Sequence, residues 1–551
     1  MAQRLWERYR PGIVPVQAEE KTMTRARARG ARAVLTAGAG ALLCLVAPGA
    51  AFADGPARGF DFDGDGHDDL AVGVPGESVG STRLAGAVNV LQGTPSGPTA
   101  ARDRLWSQAS AGIAGAAEFG DRFGSVVASA DFDGDGHADL AVGVPGESEG
   151  SKLGSGAVDV LYGTASGLAS ARDQIWSQGS KGVPGSVELG DHFGSVLAAG
   201  DFDGDGYGDL AVGVPTETVA GSETPVDTGT GLVNVLYGSR SGLSSKGAQS
   251  WTQDSKGVRG STEFNDEFGS SLASADVDGD GYDELAVGVP QENFGQAGAV
   301  QLLRGSNEGL TAKGNQLWSQ DSEGVADSEE GGDRFGDSLA FGDFNRDGRP
   351  DLAIGVPGEV LQPCEECEQQ GAVEVLLGAA DGLTATGSQF WHVGDPGLPG
   401  HVGEENSFGA ALTSGDFNGD GAADLAVAAP GATVRGRQLA GAVHVLDGSS
   451  TGLRARGFVL TQDSPGVPGE PEVVGGSHTT LAARRFGGSY DALVVGLPGV
   501  TVSGQDTAGA VLVVPGSAGG LDPRSSAEWT QDSPGIEDHV EADDQFGHVG
   551  G

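Results

Sequence analysis

One sequence element recurs six times at nearly constant spacing, and this repetition constrains the fold more than any other feature of the chain. In its full form it reads DFDGDGHDDLAVGVPG at 61–76, and a seventh copy near 484–499 keeps only the tail LVVGLPG. Periods of this size are typical of proteins that repeat one supersecondary unit. The six full copies begin at Asp61, Asp131, Asp201, Asp276, Asp343 and Asp416.

Three further elements follow the same period. The segment GAVNVLQG at 86–93 has a counterpart in every unit, the last being GAVLVVPG at 509–516. A tryptophan recurs once per unit at Trp106, Trp176, Trp251, Trp318, Trp391 and Trp529, with Leu460 in its place once. A Phe-Gly pair precedes the acidic run at Phe123, Phe193, Phe268, Phe335 and Phe408, and appears a last time at Phe546.

Each unit therefore contains four short apolar segments separated by Gly, Pro and Asp turns, which predicts four β-strands. In the first unit Leu70, Val72 and Val74 share one face of a strand, and the small residues between them let a neighbouring sheet approach closely. In the GAV segment we expect Val88 and Val90 to point inward, with a residue between them that is usually polar. Helical periodicity is absent, so the sequence predicts an all-β, seven-bladed β-propeller of four-stranded blades with calcium-binding loops.

The first 53 residues have the pattern of an N-terminal extension and a secretory signal peptide. Four arginines between 25 and 32 precede a mostly small and apolar stretch, and Ala51-Phe52-Ala53 is an A-x-A cleavage pattern. We expect cleavage and a secreted, extracellular mature chain, with a membrane anchor as the alternative. The domains are then 1–53, the extension and signal, and 54–551, the propeller. Met23 is an alternative start to Met1.

Charge limits the class of partner. The chain has 77 Asp and Glu against 32 Lys and Arg, a formal net charge of −45. Nucleic acids and anionic membranes bind basic surfaces, so neither is an expected partner. Of the three cysteines, Cys44 leaves with the signal, and Cys364 and Cys367 form a C-x-x-C pair. Export favours a local disulfide there, with a redox or metal-binding pair as the alternative.

The acidic runs have the composition of cation-binding loops. In the first loop carboxylates stand at positions 1, 3, 5 and 9, position 7 offers its backbone carbonyl, and Gly66 permits a sharp turn at position 6, as in EF-hand loops. An all-oxygen donor set favours Ca²⁺ over Zn²⁺, and Mg²⁺ prefers fewer protein ligands. The alternative is an acidic turn without a metal, in which the carboxylates would repel one another.

The sequence thus predicts about six Ca²⁺ sites. Position 7 varies widely, which favours a main-chain role and predicts that the side chains of His67 and His137 point outward. The predicted ligands, loop by loop, are Asp61, Asp63, Asp65, His67 and Asp69; Asp131, Asp133, Asp135, His137 and Asp139; Asp201, Asp203, Asp205, Tyr207 and Asp209; Asp276, Asp278, Asp280, Tyr282 and Glu284; Asp343, Asn345, Asp347, Arg349 and Asp351; and Asp416, Asn418, Asp420, Ala422 and Asp424.

Not all the loops are equal. Loops five and six replace one carboxylate by Asn345 and Asn418, and loop four ends in the longer Glu284, which predicts a weaker or tilted site. In the seventh unit the aligned positions are Arg484, Phe486, Gly488 and Ala492, with Asp491 one residue out of register. That loop is predicted to bind nothing.

The combined motifs resemble a known family. The Phe-Gly pair, the run D-x-[DN]-x-D-G-x-x-D, the Gly-x-Pro and the GAV-x-V segment are similar to the FG-GAP repeat of integrin α-subunit propellers and of secreted bacterial relatives. The resemblance covers about 58–551, and in those residues the repeats leave no room for the further domains that accompany integrin propellers. It implies a seven-bladed propeller with calcium in loops on one face and with other molecules bound elsewhere on the surface.

The phase of the repeats predicts how the ring closes. The first unit has no equivalent of the strand FGSVVASADF at 123–132, whereas the chain ends in Phe546-Gly547-His548-Val549, the start of that element. We expect these residues to complete the first blade, which would cover an otherwise open edge. The alternative is a truncated sequence in which the last Phe-Gly begins an eighth unit.

For function, the sequence favours a non-enzymatic adhesion or ligand-binding module for a protein or glycan, which we expect to be a monomer. Gly448-Ser449-Ser450-Thr451-Gly452 matches G-x-S-x-G, but stands where other units have turns such as GTPSG, so we expect a turn rather than a nucleophile elbow. The alternative is an enzyme or enzyme accessory of hydrolase type, with a site in the loops 216–230 or 358–370.

Overall fold

The computed structural model describes residues 59–218, 229–361, 369–399, 406–468 and 479–550. These residues form seven antiparallel sheets in which each strand pairs with the next along the chain. We call each sheet a blade. The predicted signal segment and the Cys364–Cys367 pair lie outside the described residues.

The strand bounds follow the repeat. Blades 1 to 3 contain β1 (Leu70–Val74), β2 (Ala87–Gln92) and β3 (Thr99–Trp106); β4 (Val127–Ala130), β5 (Asp139–Val144), β6 (Ala157–Tyr162) and β7 (Ala169–Trp176); and β8 (Val196–Gly200), β9 (Asp209–Val214), β10 (Leu232–Tyr237) and β11 (Ser244–Trp251). Blades 4 and 5 contain β12 (Ser271–Ala275), β13 (Glu284–Val289), β14 (Ala299–Arg304) and β15 (Thr311–Trp318); and β16 (Leu339–Gly342), β17 (Asp351–Val356), β18 (Ala372–Ala379) and β19 (Gly382–Trp391). Blades 6 and 7 contain β20 (Leu412–Gly415), β21 (Asp424–Ala429), β22 (Ala442–Asp447) and β23 (Arg454–Leu460); and β24 (Thr480–Arg484), β25 (Ala492–Leu497), β26 (Ala510–Val514) and β27 (Ala527–Trp529).

Helical structure in the described residues is limited to two short turns. Glu292–Gln296 forms one turn of π-helix, and Pro523–Ser525 forms one turn of 3₁₀-helix. None of the described helices has the length and hydrophobicity needed to span a bilayer.

The blades are arranged radially around a central channel. β4, β8, β12, β16, β20 and β24 contact one another in this order. Together they line a channel of about 430 Å³ with small and hydroxyl side chains, among them Ser129, Ser274 and Thr413. The predicted seven-bladed propeller is confirmed, and blade 1 is the exception in having three strands.

The hydrophobic core lies between neighbouring blades. Val88 and Trp106 of blade 1, for example, pack in one cluster with Leu140 and Val142 of blade 2. The small residues of each second strand allow this approach, as predicted. At Gly73 an added Cβ would overlap the carbonyl oxygen of Gly124 in the next blade.

The polar residues in the third strand of blades 2 to 6, and at the equivalent place in blade 1, are buried as well. They are Asn89, Asp159, Asn234, Gln301, Glu374 and His444, all at most 3% exposed. Strand alternation alone does not predict this, because both faces of each strand are covered. Asn89 donates from Nδ2 to the Glu537 carbonyl at 3.2 Å, and Asn234 donates to the Pro184 carbonyl at 2.7 Å. Asn89 and Asn234 thus each bind the loop that enters their own blade.

The C-terminal residues complete blade 1, as predicted. The Gly73 amide donates to the His548 carbonyl at 2.7 Å, and the His548 amide donates to the Gly73 carbonyl at 3.2 Å. Phe546 is fully buried, and its amide donates to the Ala508 carbonyl of blade 7 at 2.9 Å. The pairing is one β-bridge rather than a full strand, and it places the segment between blades 7 and 1.

Candidate metal-binding loops

Loops two to six connect the innermost strand of a blade to its second strand, and loop one directly precedes β1, the equivalent second strand of blade 1. Because the blades are arranged radially, these turns all lie at one end of the propeller. The residue at position 2 of each loop anchors it in the core. This residue is fully buried in all six loops: Phe62, Phe132, Phe202, Val277, Phe344 and Phe417.

Hydrogen bonds fold the first half of each loop around its carboxylates. In loop two, Asp131 accepts from the amides of Asp135 and Gly136, at 3.1 and 2.9 Å. Asp133 accepts from Asp135 at 3.2 Å, and Asp135 accepts from His137 at 3.0 Å. The other five loops repeat these bonds. The backbone amides therefore hold positions 1, 3 and 5 on the inner side of the turn.

The residue at position 9 is the most buried carboxylate of each loop. Asp139 is fully buried, and it accepts from the amides of Phe132 and Gly163, both at 2.8 Å. Its oxygen atoms lie with those of Asp131 and Asp133 within 4.8 Å of one another. Burial raises the pKa of Asp139 to about 8, and Asp133 adds to the shift. A cation in the loop would favour the ionised form.

A buried carboxylate oxygen without a hydrogen-bond partner also indicates that the donor set fits a hard cation. In loop five Asp351 is fully buried, and its Oδ2 has no hydrogen-bond partner. A buried carboxylate oxygen without a partner is costly. All thirty predicted ligands lie in the described residues, and the structure brings three carboxylates together in each of loops one, two and three. Bound calcium would supply the positive charge that balances these carboxylates.

The histidines at position 7 do not point freely outward, which corrects our expectation. The His137 ring packs over loop one, where a Cβ added at Gly64 would lie 3.0 Å from it. The Tyr207 ring packs in the same way over Gly134. Position 7 of loops two, three and four therefore contacts the preceding loop through its side chain, and Gly at position 4 of that loop leaves room for it; loops five and six differ, with Arg346 at position 4 and Ala422 at position 7.

A ring of backbone hydrogen bonds also joins the loops. The carbonyl at position 1 accepts from the amide at position 8 of the next loop, as from Ala138 to Asp61 at 3.0 Å and from Gly208 to Asp131 at 2.8 Å. The ring has one gap, between loops four and five, where Pro350 has no amide hydrogen. There the Arg349 guanidinium donates to the Asp278 carbonyl instead.

Loops five and six have one negative charge fewer, because an asparagine stands at position 3. Asn345 donates from Nδ2 to Asp351 at 3.2 Å, and Asn418 donates to Asp424 at 3.0 Å. Their amide oxygens still accept from the backbone as the aspartates do. The two loops keep the oxygen count of the other sites with one carboxylate fewer.

Loop four contains an arginine that the sequence did not single out. Arg304, at the end of β14, forms ion pairs with Asp278 and with Glu284, the latter at 3.2 Å. Both carboxylates are predicted ligands, at positions 3 and 9. Aligning the third strands could have revealed this residue, since the equivalent positions hold Gln92 and Tyr162. In loop two, Arg172 contacts only Asp133, at 2.6 Å.

Loop seven is one residue shorter than the others, which corrects the alignment made from sequence. The Arg485 carbonyl accepts from Asp68 at 3.2 Å, and the Asp491 amide donates to the Asp416 carbonyl at 3.0 Å. These are the bonds of positions 1 and 8, so Arg485, not Arg484, takes position 1. Phe486 is then the buried residue of position 2. The ungapped alignment placed it at position 3 because a single deletion shifts everything before it.

Arg485 takes position 1, where the other loops have a carboxylate, and a second arginine, Arg484, directly precedes it. Arg485 donates from Nε to Asp491 at 2.7 Å. Arg484 is 4% exposed, lies 3.6 Å from the Phe60 ring centroid and donates to the Ala483 carbonyl at 2.8 Å. With Ala492 at position 9, the loop lacks the buried carboxylate of its six counterparts.

The G-x-S-x-G sequence forms a repeat turn, as predicted. Ser449 donates to the Gly452 carbonyl at 2.7 Å, as Ser239 does to the Gly242 carbonyl at 2.7 Å. The candidate enzyme loops 216–230 and 358–370 lie partly outside the described residues, which omit 219–228 and 362–368.

Comparison with protein families gives one match. The model of the FG-GAP repeat matches residues 52–91, 123–161, 193–235, 268–303, 335–376 and 408–446. Each match contains one acidic loop and the strand that follows it. The match to blade 7, whose loop has lost its carboxylates, is missing.

Two groups of curated proteins are similar over part of the chain. A phosphatidylinositol-glycan-specific phospholipase D of Rattus norvegicus is 38% identical over 31% of this chain and 18% of its own length. Integrin alpha pat-2 of Caenorhabditis elegans is 31% identical over 46% of this chain and 21% of its own length. The chain thus spans about a fifth of the length of these relatives.

Solved structures are more distant. The Dos1 propeller is 12% identical over 84% of both chains, with a TM-score of 0.39. A rhamnogalacturonan lyase of Bacillus licheniformis is 13% identical over 75% of this chain and 73% of its own, with a TM-score of 0.30. These scores support no argument about fold or function.

Proposed function

Because the chain is an FG-GAP repeat protein with six matched repeats, we propose that it is a secreted, calcium-binding propeller that acts as an extracellular adhesion or ligand-binding module and not as an enzyme. The carboxylates buried in its acidic loops are the observation that carries the proposal. Position 9 is at most 4% exposed in all six loops. Such groups favour a bound cation, and six near-identical sites suit stabilisation of a scaffold better than catalysis at one centre.

The end of the propeller opposite the acidic loops offers a surface for a protein partner. The loops there precede the innermost strands, and at one equivalent position they expose Phe119, Leu189 and Phe264 by 73%, 66% and 72%. Each of these side chains directly follows a glutamate. Large exposed apolar side chains beside acidic ones suit a partner with apolar and basic groups.

Binding in the presence and absence of calcium tests the proposal. The mature chain would be immobilised and probed with a panel of purified extracellular proteins and with a glycan array, in Ca²⁺ and in EGTA. We expect calcium-dependent binding to a protein, weakened at least tenfold by the triple variant Phe119→Ser, Leu189→Ser and Phe264→Ser. Leu439→Ser in blade 6, a side chain 37% exposed, is the control and should change little.

Two results would contradict the proposal. One is binding that is equally strong in EGTA, which would remove calcium from the function. The other is turnover of a substrate by the isolated chain, which would favour the enzyme alternative.

A further inference from the structure

A second group of carboxylates meets in blade 3, at the end opposite its acidic loop. Glu188 and Asp191 lie in the loop before β8, and Glu217 follows β9. One oxygen atom from each side chain lies within 4.8 Å of the others. Asp191 and Glu217 are only 2% and 5% exposed. We call these three residues the blade 3 triad.

Blade 1 contains the same arrangement, assembled from both ends of the described chain. Glu77 follows β1, whereas Glu541 and Asp544 precede the C-terminal residues that complete the blade. Their oxygen atoms also lie within 4.8 Å of one another. Glu77 and Asp544 are 2% and 1% exposed. We call this group the blade 1 triad.

A buried glutamine reaches into each triad. Gln178 donates from Nε2 to Glu217 at 2.5 Å, and Gln531 donates to Glu77 at 2.7 Å. Gln178 is 5% exposed and Gln531 is 1% exposed. In both glutamines the amide oxygen Oε1 is buried and has no hydrogen-bond partner. A buried amide oxygen normally has a partner, so each of these oxygens indicates a missing ligand.

The carboxylates of the triads also include buried oxygen atoms without a hydrogen-bond partner. Oε2 of Glu188 in the blade 3 triad and Oδ1 of Asp544 in the blade 1 triad are buried without a hydrogen-bond partner. Each triad therefore combines mutually repelling carboxylates, one unpartnered carboxylate oxygen and one unpartnered amide oxygen. A proton would join at most two of these oxygens, whereas a hard cation takes six to eight oxygen ligands at 2.3–2.6 Å.

The geometry points to a second tier of Ca²⁺ sites at this end of the propeller, one in each triad. The inference does not depend on calcium in the acidic loops, since it uses none of their residues, but Glu118, Glu188 and Glu263 of the second tier directly precede the exposed apolar side chains of the proposed partner surface. Ionising the carboxylates of the blade 3 triad is unfavourable without a cation. Burial raises the pKa of Glu217 to about 8, and the charges of Asp191 and Glu188 raise it further. A bound divalent cation would offset that cost.

The same residue types recur in blades 2, 4 and 5. In each of these blades the glutamine is buried and its Oε1 has no partner. Blades 6 and 7 have Ala432 and Val500 in place of the glutamate that follows the second strand. The second tier would thus comprise five sites, the three further ones being Glu118, Asp121, Glu147 and Gln108; Glu263, Asp266, Glu292 and Gln253; and Glu330, Asp333, Glu359 and Gln320.

A crystal structure of the mature chain with saturating calcium, with data collected at long wavelength for the calcium anomalous signal, tests the inference directly. We expect anomalous peaks at the triads of blades 1 to 5 and none at the equivalent places in blades 6 and 7. Peaks in the acidic loops alone would overturn the second tier and leave the proposed function standing. Peaks in the triads alone would support the second tier and contradict calcium in the loops.

Calcium counting in solution gives a second, independent measurement. After equilibrium dialysis at saturating calcium we expect the wild-type chain to bind about eleven ions rather than about six, and Glu217→Gln to bind one fewer than wild type. Glu323→Gln, an exposed glutamate outside every triad, is the control and should bind the wild-type number. A Glu217→Gln variant that folds and binds as many ions as the control would overturn the inference. Should that variant fail to fold, the anomalous peaks of the wild-type crystal decide.

Discussion

Loop seven and the six acidic loops join neighbouring blades with similar backbone contacts, but loop seven has basic side chains where the others have acidic ones. In both, position 2 is buried in the core, and, except between loops four and five, the carbonyl at position 1 accepts from the amide at position 8 of the next loop. The acidic loops surround that framework with carboxylates. Loop seven replaces them with the ion pair of Arg485 and Asp491 and with Ala492 at position 9.

The comparison shows that joining the blades does not require the acidic residues. Loop seven lies at the seam between blades 7 and 1, where Arg484 donates to the Gly550 carbonyl and the Arg485 amide donates to Asp68 at 2.8 Å. At this seam the chain supplies its own positive charge. In the acidic loops, apart from the ion pairs of Arg172 and Arg304, we propose that a bound cation supplies the positive charge. The following experiments separate the two kinds of loop.

Deleting residues 544–551 opens the seam and should have the largest effect. It removes the fully buried Phe546 and both hydrogen bonds between Gly73 and His548, and it exposes an unpaired strand edge in blade 1. We expect cooperative unfolding to be lost and the chain to form oligomers, as measured by calorimetry and size-exclusion chromatography.

A pair of point variants controls for the deletion. Phe546→Ala should cost about 3–5 kcal/mol, the usual range for a buried phenylalanine. Phe119→Ala, at a side chain 73% exposed, should cost little. A deletion variant that remains monomeric with unchanged stability would show that the C-terminal contacts are dispensable for closure.

Calcium removal should have the next largest effect, and it should act on the acidic loops but not on loop seven. A site held at about ten times its Kd contributes about 1.4 kcal/mol, so six sites contribute about 8 kcal/mol. For a domain of this size that corresponds to a Tm lower by about 8 °C in excess EGTA. An unchanged Tm would mean that the acidic loops, like loop seven, are stable without a cation.

The calcium-free protein should lose stability as the pH rises from 5 to 8. Burial raises the pKa of position 9 to about 8 in Asp139, Asp209 and Glu284 and to about 7 in Asp69 and Asp351. The folded chain therefore binds more protons than the unfolded chain between about pH 4 and 8, and its stability falls as these protons are lost.

Thermal unfolding of the calcium-free protein at several pH values measures this dependence. Saturating calcium should reduce or reverse it, because the cation favours the ionised carboxylates. Asp139→Asn should make the dependence in the calcium-free protein shallower, since the variant cannot ionise at that position. Stability that rises between pH 5 and 8 without calcium would contradict the raised pKa values.

Repeat period and loop composition were sufficient to predict the propeller, the acidic loops and the completion of blade 1. They depend on local pattern and on chain order, which a sequence carries directly. The burial of Asn89 and Asp159 could not be predicted, because a polar residue between two valines indicates an exposed face unless a neighbouring blade covers it. The register of Phe486 was missed because one deleted residue leaves no mark in a degenerate repeat.

Contacts between residues that are far apart in the sequence could not be predicted either. Arg304 is 26 residues from Asp278, and only the register of β14 with β13 places its guanidinium beside loop four. Each site of the second tier takes two carboxylates from a loop, one glutamate from the end of a strand and a glutamine from another part of the chain. No contiguous motif therefore marks these sites.

Arg304→Gln should make loop four behave more like the other acidic loops. It frees two predicted ligands, Asp278 and Glu284, from the guanidinium, so we expect the weakest calcium affinity measured by calorimetry to rise, roughly tenfold for a gain of about 1.4 kcal/mol. Arg172→Gln in loop two is the matched control, with a smaller increase, because Arg172 contacts one ligand and is 50% exposed. An affinity that stays constant or falls would show that Arg304 supports the site rather than competing with the cation.

Arg485→Gln should have the smallest effect, and the effect should not depend on calcium. The Arg485 side chain is 50% exposed, and ion pairs at such sites contribute at most about 1 kcal/mol. We expect the free energy of unfolding to fall by that amount, equally in Ca²⁺ and in EGTA, as measured by urea denaturation. Arg435→Gln, which breaks a comparable pair with Asp463 outside the loops, provides the reference for a surface ion pair. If the loss at Arg485 appeared only with calcium bound, loop seven would take part in cation binding, and the contrast with the six acidic loops would fail.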